Sequence, residues 1–224
     1  YTFSIIFKIN DKSEVKEHWI GRTIIHSNHR FSYEEVQQII EAKTGLHDKE
    51  ILILNDISQK LRKKRFKNGA INFSSQEVRF KLDENGHPIG IMIKESKEAH
   101  QLIEELMLLA NRYVAQRIGK VMVKDKPIPF PYRTHDTPTE EKLIPFAAFA
   151  KKFGYSFDIN KPETIAASFN KMLADAKGTP QQHVLEQLGI RTMAKATYTT
   201  ENVGHYGLGF EHYCHFTSPI RRYP

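Results

Sequence analysis

At 224 residues the chain is long enough to bury a hydrophobic core without disulfide staples, and its single cysteine, Cys214, excludes a disulfide framework and any multi-cysteine zinc site. Lys and Arg outnumber Asp and Glu by 33 to 26, a net charge of +7 with pI near 9.3, which favours an anionic partner, nucleic acid first. Hydrophobic residues at 40% and charged ones at 26% exclude a disordered chain, and no apolar run approaches the length of a membrane span.

Residues 1–9 and 15–25, rich in β-branched and aromatic residues, flank Asn10-Asp11-Lys12-Ser13 and predict a hairpin. Ser32 followed by Glu35 reads as a capping box, opening a helix to about Ala42 that stops before Gly45. A second helix is expected over 48–66. It ends in the basic run Lys60, Arg62, Lys63, Lys64, Arg65 and Lys67, read as a solvated helix end complementing the dipole, with RNA contact second. Residues 77–83 and 88–94 around Asp83-Glu84-Asn85-Gly86 carry the strongest short hairpin signal.

A long helix then covers about 95–119. Leu102, Leu106, Leu109 and Tyr113 share a stripe flanked by Ile103, Ala110 and Val114. Glu104 and Asn111 fall on the opposite side, seven residues apart, where both would face water. Pro127, Pro129 and Pro131 bar a helix through the next stretch. Further helices are expected from Thr139 to about Phe153 and after Pro162 and Pro180, with Gly154, Gly178 and Gly189 as stops. No repeat, low-complexity tract or linker divides the chain. The expected class is α+β, a mixed or antiparallel sheet with several long helices packed beside it. The opening on Tyr1 without an initiator Met and the end at Arg221-Arg222-Tyr223-Pro224 read as an excerpt of a longer protein.

The segment from His205 onward concentrates candidate chemistry. Ser218-Pro219 is a helix N-cap and first-turn pair, which would set Arg221 and Arg222 in the first turn of a helix. Helix-start N–H groups joined by forked guanidiniums suit a phosphate, although two adjacent arginines taken alone usually form surface ion pairs. His205, His212 and His215 fit no standard zinc spacing and read as loop histidines.

The run His215-Phe216-Thr217-Ser218-Pro219-Ile220-Arg221-Arg222-Tyr223-Pro224 closely resembles the signature of the RNase II/RNase R family of 3′-to-5′ exoribonucleases, nearest the RNase R form with its Arg-Arg pair. Further matches follow in chain order: His26-Ser27 with Phe31-Ser32-Tyr33, Gly69 to Phe73, Ile103 to Asn111, Tyr132 to Asp136, and Gly204 to Leu208 with Tyr198 and Asn202. The resemblance implies that residues 1–224 are part of an RNB catalytic domain, without the cold-shock and S1 domains that flank it in the family. Single-stranded RNA with a free 3′ end would be shortened to nucleoside 5′-monophosphates with magnesium, in a cytoplasmic protein.

On matching positions Arg221 is the catalytic arginine steadying the scissile phosphate. Phe73 is the aromatic stacking on bases, Tyr33 and Glu104 position the terminal nucleotides, and Arg222 joins the RNA contacts. Without the resemblance Phe73 belongs to the core, Tyr33 to packing at a helix start, and Glu104 to a solvated face. The family's magnesium site is a cluster of aspartates, whereas no two aspartates here lie closer than eight positions. No residue of this chain is therefore assigned as a metal ligand. The ligands are expected upstream, and the chain by itself is expected to be inactive. Two rival readings are a non-catalytic RNA-binding protein with a degenerate nuclease domain and a basic module binding an acidic protein.

Overall fold

In the computed structural model, which describes residues 1–73, 77–94 and 96–218, the chain opens on the expected hairpin. Strands β1 (Thr2–Ile9) and β2 (Val15–Thr23) pair antiparallel, Ile5 opposite Ile20. Asn10 fixes the turn, its Oδ1 accepting from the backbone N–H of Lys12 at 3.1 Å and of Glu14 at 2.9 Å. The capping box forms as read: Glu35 N–H donates to Ser32 Oγ at 3.2 Å, and Ser32 N–H to Glu35 Oε2 at 2.6 Å. Helix α1 (Tyr33–Ala42) ends at Lys43, whose φ of 56° is left-handed. Helix α2 (Asp48–Lys67) and the ribbon of β3 (Glu77–Leu82) and β4 (Pro88–Lys94) follow, the latter turning on Asp83 Oδ1, which accepts from the N–H groups of Asn85 and His87.

Helix α3 (Glu98–Ile118) is the spine, packing against α1 and α2. Its buried stripe is turned from the expected one. Leu102, Leu109, Ala110 and Val114 are buried, but Leu106 and Tyr113 are half-buried and Ile103 is exposed. Glu105 and Asn111, 3% and 2% exposed, take the inner places, so the expectation that Asn111 faces water is corrected. Polar partners described below make that burial tolerable.

A short ribbon, β5 (Met122–Val123) with β6 (Lys126–Pro127), precedes β7 (Tyr132–Thr134). Helices α4 (Glu140–Lys151), α5 (Pro162–Asp175) and α6 (Gln182–Thr192) follow, then β8 (Thr197–Thr199), which pairs with β7. Gly189 lies inside α6 rather than stopping it. A Cβ there would sit 3.3 Å from Phe169 and from Phe73, so packing selects the glycine. Among the described residues the strands form four two-stranded antiparallel ribbons, and the class is α+β as expected.

The largest core cluster joins α4, α5 and α6 around Phe169, which is fully buried, stacks on Phe146 and meets Phe157 edge-on. Burying one such ring contributes roughly 1.5–3 kcal/mol. Two smaller clusters hold α1 to α2 and α3, and α3 to β7 and Cys214. No helix among the described residues is long and apolar enough to cross a membrane.

Candidate functional site

One face of α3 carries Glu104 and, through His100, meets Tyr33. At 100° per residue His100, Glu104 and Asn111 lie within about 40° of one another, over roughly 16 Å of helix. Tyr33 caps the first end of this line: its ring stacks on His100 at 4.2 Å between centroids and 11° between planes, while the residue stays 43% exposed.

One turn on, Glu104 meets α2. The Glu105 carboxylate beside it takes Arg65, whose Nε donates to both Glu105 oxygens at 3.1 and 3.2 Å and whose Nη2 adds a third bond. Arg65 Nη2 also reaches Glu104 Oε1 at 3.4 Å, and Arg62 Nη1 lies 3.8 Å from Glu104 and 3.5 Å from Glu105. The basic run ending α2 is thus not wholly solvated, because two of its arginines turn inward to carboxylates that lie one helix away. Glu104 keeps a half-exposed side chain held between two guanidiniums, placed to accept a hydroxyl proton.

Arg62 links Glu104 to Phe73 through Asn72, donating from Nη2 to Asn72 Oδ1 at 3.3 Å. Asn170 on α5 clamps the same segment, accepting from Asn72 N–H at 2.9 Å and donating to Ala70 O at 2.8 Å. Phe73 meets Phe169 edge-on at 5.7 Å and is partly buried. Its ring is therefore anchored to the helical core at the border of the Arg62–Glu104 group.

At the far end Asn111 ties down the segment that leads to the terminal signature. Its Oδ1 accepts from Thr217 N–H at 2.9 Å and Thr217 Oγ1 at 3.2 Å, and its Nδ2 donates to the Tyr213 hydroxyl at 3.3 Å. The Cys214 thiol donates to Asn111 O at 3.2 Å, and burial pushes its pKa up to about 11, so it remains a protonated structural group. Arg221 and Arg222, with the helix expected from Pro219 onward, fall outside the described residues.

The histidines around this segment are structural. A carbonyl can only accept and a backbone amide can only donate. His135 therefore carries its proton on Nε2, facing Ala194 O at 2.8 Å, and accepts from Gly207 N–H on Nδ1 at 2.9 Å. Burial lowers its pKa, and burial next to His135 lowers that of His205 to about 3. Gly209, with φ of 66°, brings the 206–209 turn against Asn68 and Ala70, where a Cβ would stand 3.0 Å from backbone atoms. His215 Nδ1 bonds the Tyr198 hydroxyl at 2.7 Å, and Arg133 lies over the Tyr198 ring at 4.7 Å. Among the described residues no three His, Cys, Asp or Glu side chains gather to hold a metal ion.

These histidines make a pH prediction. Both folded pKa values lie below the unfolded value near 6.5, so between there and about 3 the unfolded chain binds more protons and stability rises with pH. Stability is fully present above pH 6.5 and should fall on acidification, by about 1.4 kcal/mol per pH unit for each histidine that stays neutral. Urea midpoints at pH 7, 6 and 5 check this, and His205→Gln should flatten the dependence. An unchanged slope in that variant would mean that His205 titrates freely.

The family model for the RNB domain matches residues 1–224. The chain belongs to the RNB domain family. It is 36% identical to DIS3-like exonuclease 2 of Schizosaccharomyces pombe over 99% of this chain and 26% of that protein. It is also 36% identical to ribonuclease R of Chlamydia pneumoniae over 98% of this chain and 32% of that protein. A protein of Arabidopsis thaliana named as an inactive exonuclease matches at 34%, over 99% of this chain and 23% of that one. Among solved structures, Mycoplasma genitalium RNase R in complex with ribose-methylated single-stranded RNA superposes with a TM-score of 0.82 and 27% identity, over 96% of this chain and 33% of that one. The RNB chain spans about a quarter to a third of the length of these relatives. The resemblance read from the terminal signature is thereby borne out at the level of the family.

Sequence reasoning missed the Arg65–Glu105 pair, the His135 staple and the Asn111 anchor in this RNB chain. Only Asn111 carried a signal, as a polar residue seven positions from Glu104 on the same helix face.

Proposed function

We propose that this chain is the part of a 3′-to-5′ exoribonuclease that grips the 3′ end of single-stranded RNA and presents it to Arg221. The supporting observation is the α3 face, which brings together Tyr33 on His100, Glu104 between two arginines and the Asn111-anchored segment running into the signature, while Phe73 follows the Asn72 that Arg62 binds. On this reading Tyr33 and Phe73 offer ring faces that accept any base, each stack contributing roughly 1–3 kcal/mol. Glu104 accepts from ribose hydroxyls, which distinguishes RNA from DNA. Arg222 adds a phosphate contact, and Arg221 stabilises charge on the scissile phosphate.

The products are nucleoside 5′-monophosphates, and the reaction calls for magnesium. On this reading the aspartate cluster that holds the ion in the family, which has no counterpart among the aspartates of this sequence, lies upstream, and the chain alone is inactive. The protein acts in the cytoplasm, in keeping with a lone thiol that is buried and protonated.

The test uses RNA labelled at its 5′ end with magnesium, comparing this chain with the protein extended ahead of Tyr1. Progressive shortening from the 3′ end by the extended form alone is expected, whereas activity in the isolated chain would overturn the incomplete-site reading. A second reading, RNA binding without catalysis, is favoured by the likeness to the inactive Arabidopsis exonuclease. It takes over if neither form shortens RNA and both bind single strands.

A further inference from the structure

A cleft of about 360 Å³ lies between the β1–β2 turn, the later half of α2 and the middle of α3, a volume that admits a small ligand. Two buried polar atoms belonging to residues that line it have no hydrogen-bond partner among the described residues: Ser13 Oγ and Arg112 Nε. Ser13 is 6% exposed and sits at a left-handed φ of 58°, a conformation that an L-residue keeps only where its surroundings demand it. The Arg112 guanidinium packs over the rings of Tyr113 at 5.3 Å and Phe210 at 5.4 Å, which fixes it in place without using its N–H groups.

The charge of the cleft is unbalanced. Its carboxylates, Glu14 and Glu105, are already matched by Lys16 at 2.8 Å and by Arg65. Lys64 and Arg112 line the same space and have no ion-pair partner among the described residues. Buried polar atoms in native proteins are almost always satisfied. Here the orphans are a hydroxyl and an N–H of Arg112, with Lys64 as the second unmatched cation, so the missing partner is rich in acceptors and negatively charged.

We propose that this cleft binds a phosphate group, free or carried on a mononucleotide, with Arg112 and Lys64 as its cations and Ser13 as a hydroxyl donor. The cleft shares its Arg65–Glu105 wall with the α3 site, but Arg112, Lys64 and Ser13 take no part in the RNA contacts assigned there.

The experiment titrates the protein, without RNA or divalent metal, with sodium phosphate and separately with adenosine 5′-monophosphate at constant ionic strength. It follows the melting temperature and the heat of binding. A ligand that binds only the folded state raises the melting temperature in a saturable way. The expected result is such a rise by several degrees, with affinity reduced at least tenfold in Arg112→Gln and Lys64→Gln and a few-fold in Ser13→Gly, which keeps the left-handed turn. If Arg112→Gln fails to fold, the exposed Lys64 carries the comparison. Tighter binding of the nucleotide than of phosphate identifies a nucleotide as the source, and equal affinity identifies free phosphate. No saturable response to either, or affinities unchanged in both charge variants, would overturn the proposal.

Discussion

Glu105→Ala should destabilise the protein by about 3–5 kcal/mol, the cost of leaving one member of a buried ion pair behind. In a chain of this size that is a fall in melting temperature of roughly 6–20 °C. The side chains of Arg65 and Glu105 are 5% and 3% exposed, and the carboxylate accepts three bonds from one guanidinium. Without it, the one carboxylate left to Arg65 among the described residues is Glu104 at 3.4 Å, on a side chain that also serves Arg62. Glu105→Gln keeps an acceptor and should lose less. Arg65→Met with Glu105→Leu removes both charges and should recover most of the stability, since desolvating the pair offsets much of its attraction. If Glu105→Ala shifts the urea midpoint no more than an exposed control such as Glu17→Ala does, the pair is not a buried tie between α2 and α3. The same comparison reports on function, because Arg65 and Arg62 also hold Glu104. The double variant should therefore fold well yet bind RNA less tightly.

Local signals carried the secondary structure well because they act within a few residues. The Ser32–Glu35 box, the Asn10 and Asp83 turns and the Pro162 start each depend on neighbours in sequence, and each formed where the residues said. What failed to show was long-range partnership. Arg65 and Glu105 are 40 positions apart, and nothing in a basic helix end says that one guanidinium will turn inward. Asn111 is a hydrophilic residue on a helix whose apolar stripe runs elsewhere. Its burial follows from Thr217, 106 positions later, and a periodicity argument cannot see that. Gly189 read as a stop because glycine ends helices, yet the Phe73 and Phe169 rings packed against it explain it better. The candidate site was legible as a set of residue types through family resemblance, and periodicity put Glu104 and Asn111 on one face of α3, while the partners that bury Asn111 and hold Glu104 were not.

That arrangement bears on the segment that enters the signature. Asn111 anchors Thr217 and Tyr213 from inside the helix that also carries Glu104, so the segment entering the signature and the proposed ribose contact share one rigid element. A positioning group of this kind acts through geometry, where small misplacements cost rate more than affinity. It sets an expectation for the residue the segment delivers.

Arg221→Ala, made in the extended protein, should lower the turnover of single-stranded RNA by on the order of 10²–10³-fold, the usual cost of deleting one preorganised stabiliser of developing charge. Affinity for RNA should change only a few-fold, because on the proposed reading the bases stack on Tyr33 and Phe73 and the charge that Arg221 meets is greatest in the transition state. Arg221→Lys should recover part of the loss, since an ammonium keeps the charge but not the forked geometry that matches two phosphate oxygens. Asn111→Ala provides the graded case. It removes both hydrogen bonds to Thr217 and the one to Tyr213, at about 1–3 kcal/mol of stability for the groups left unpaired, and should lower kcat more than it raises KM. Single-turnover rates on 5′-labelled RNA beside equilibrium binding separate these outcomes. Equal losses of rate and affinity in Arg221→Ala would make Arg221 a binding residue and remove the electrostatic role assigned to it, while a kcat unaffected by Asn111→Ala would show that the anchor on α3 supports folding alone.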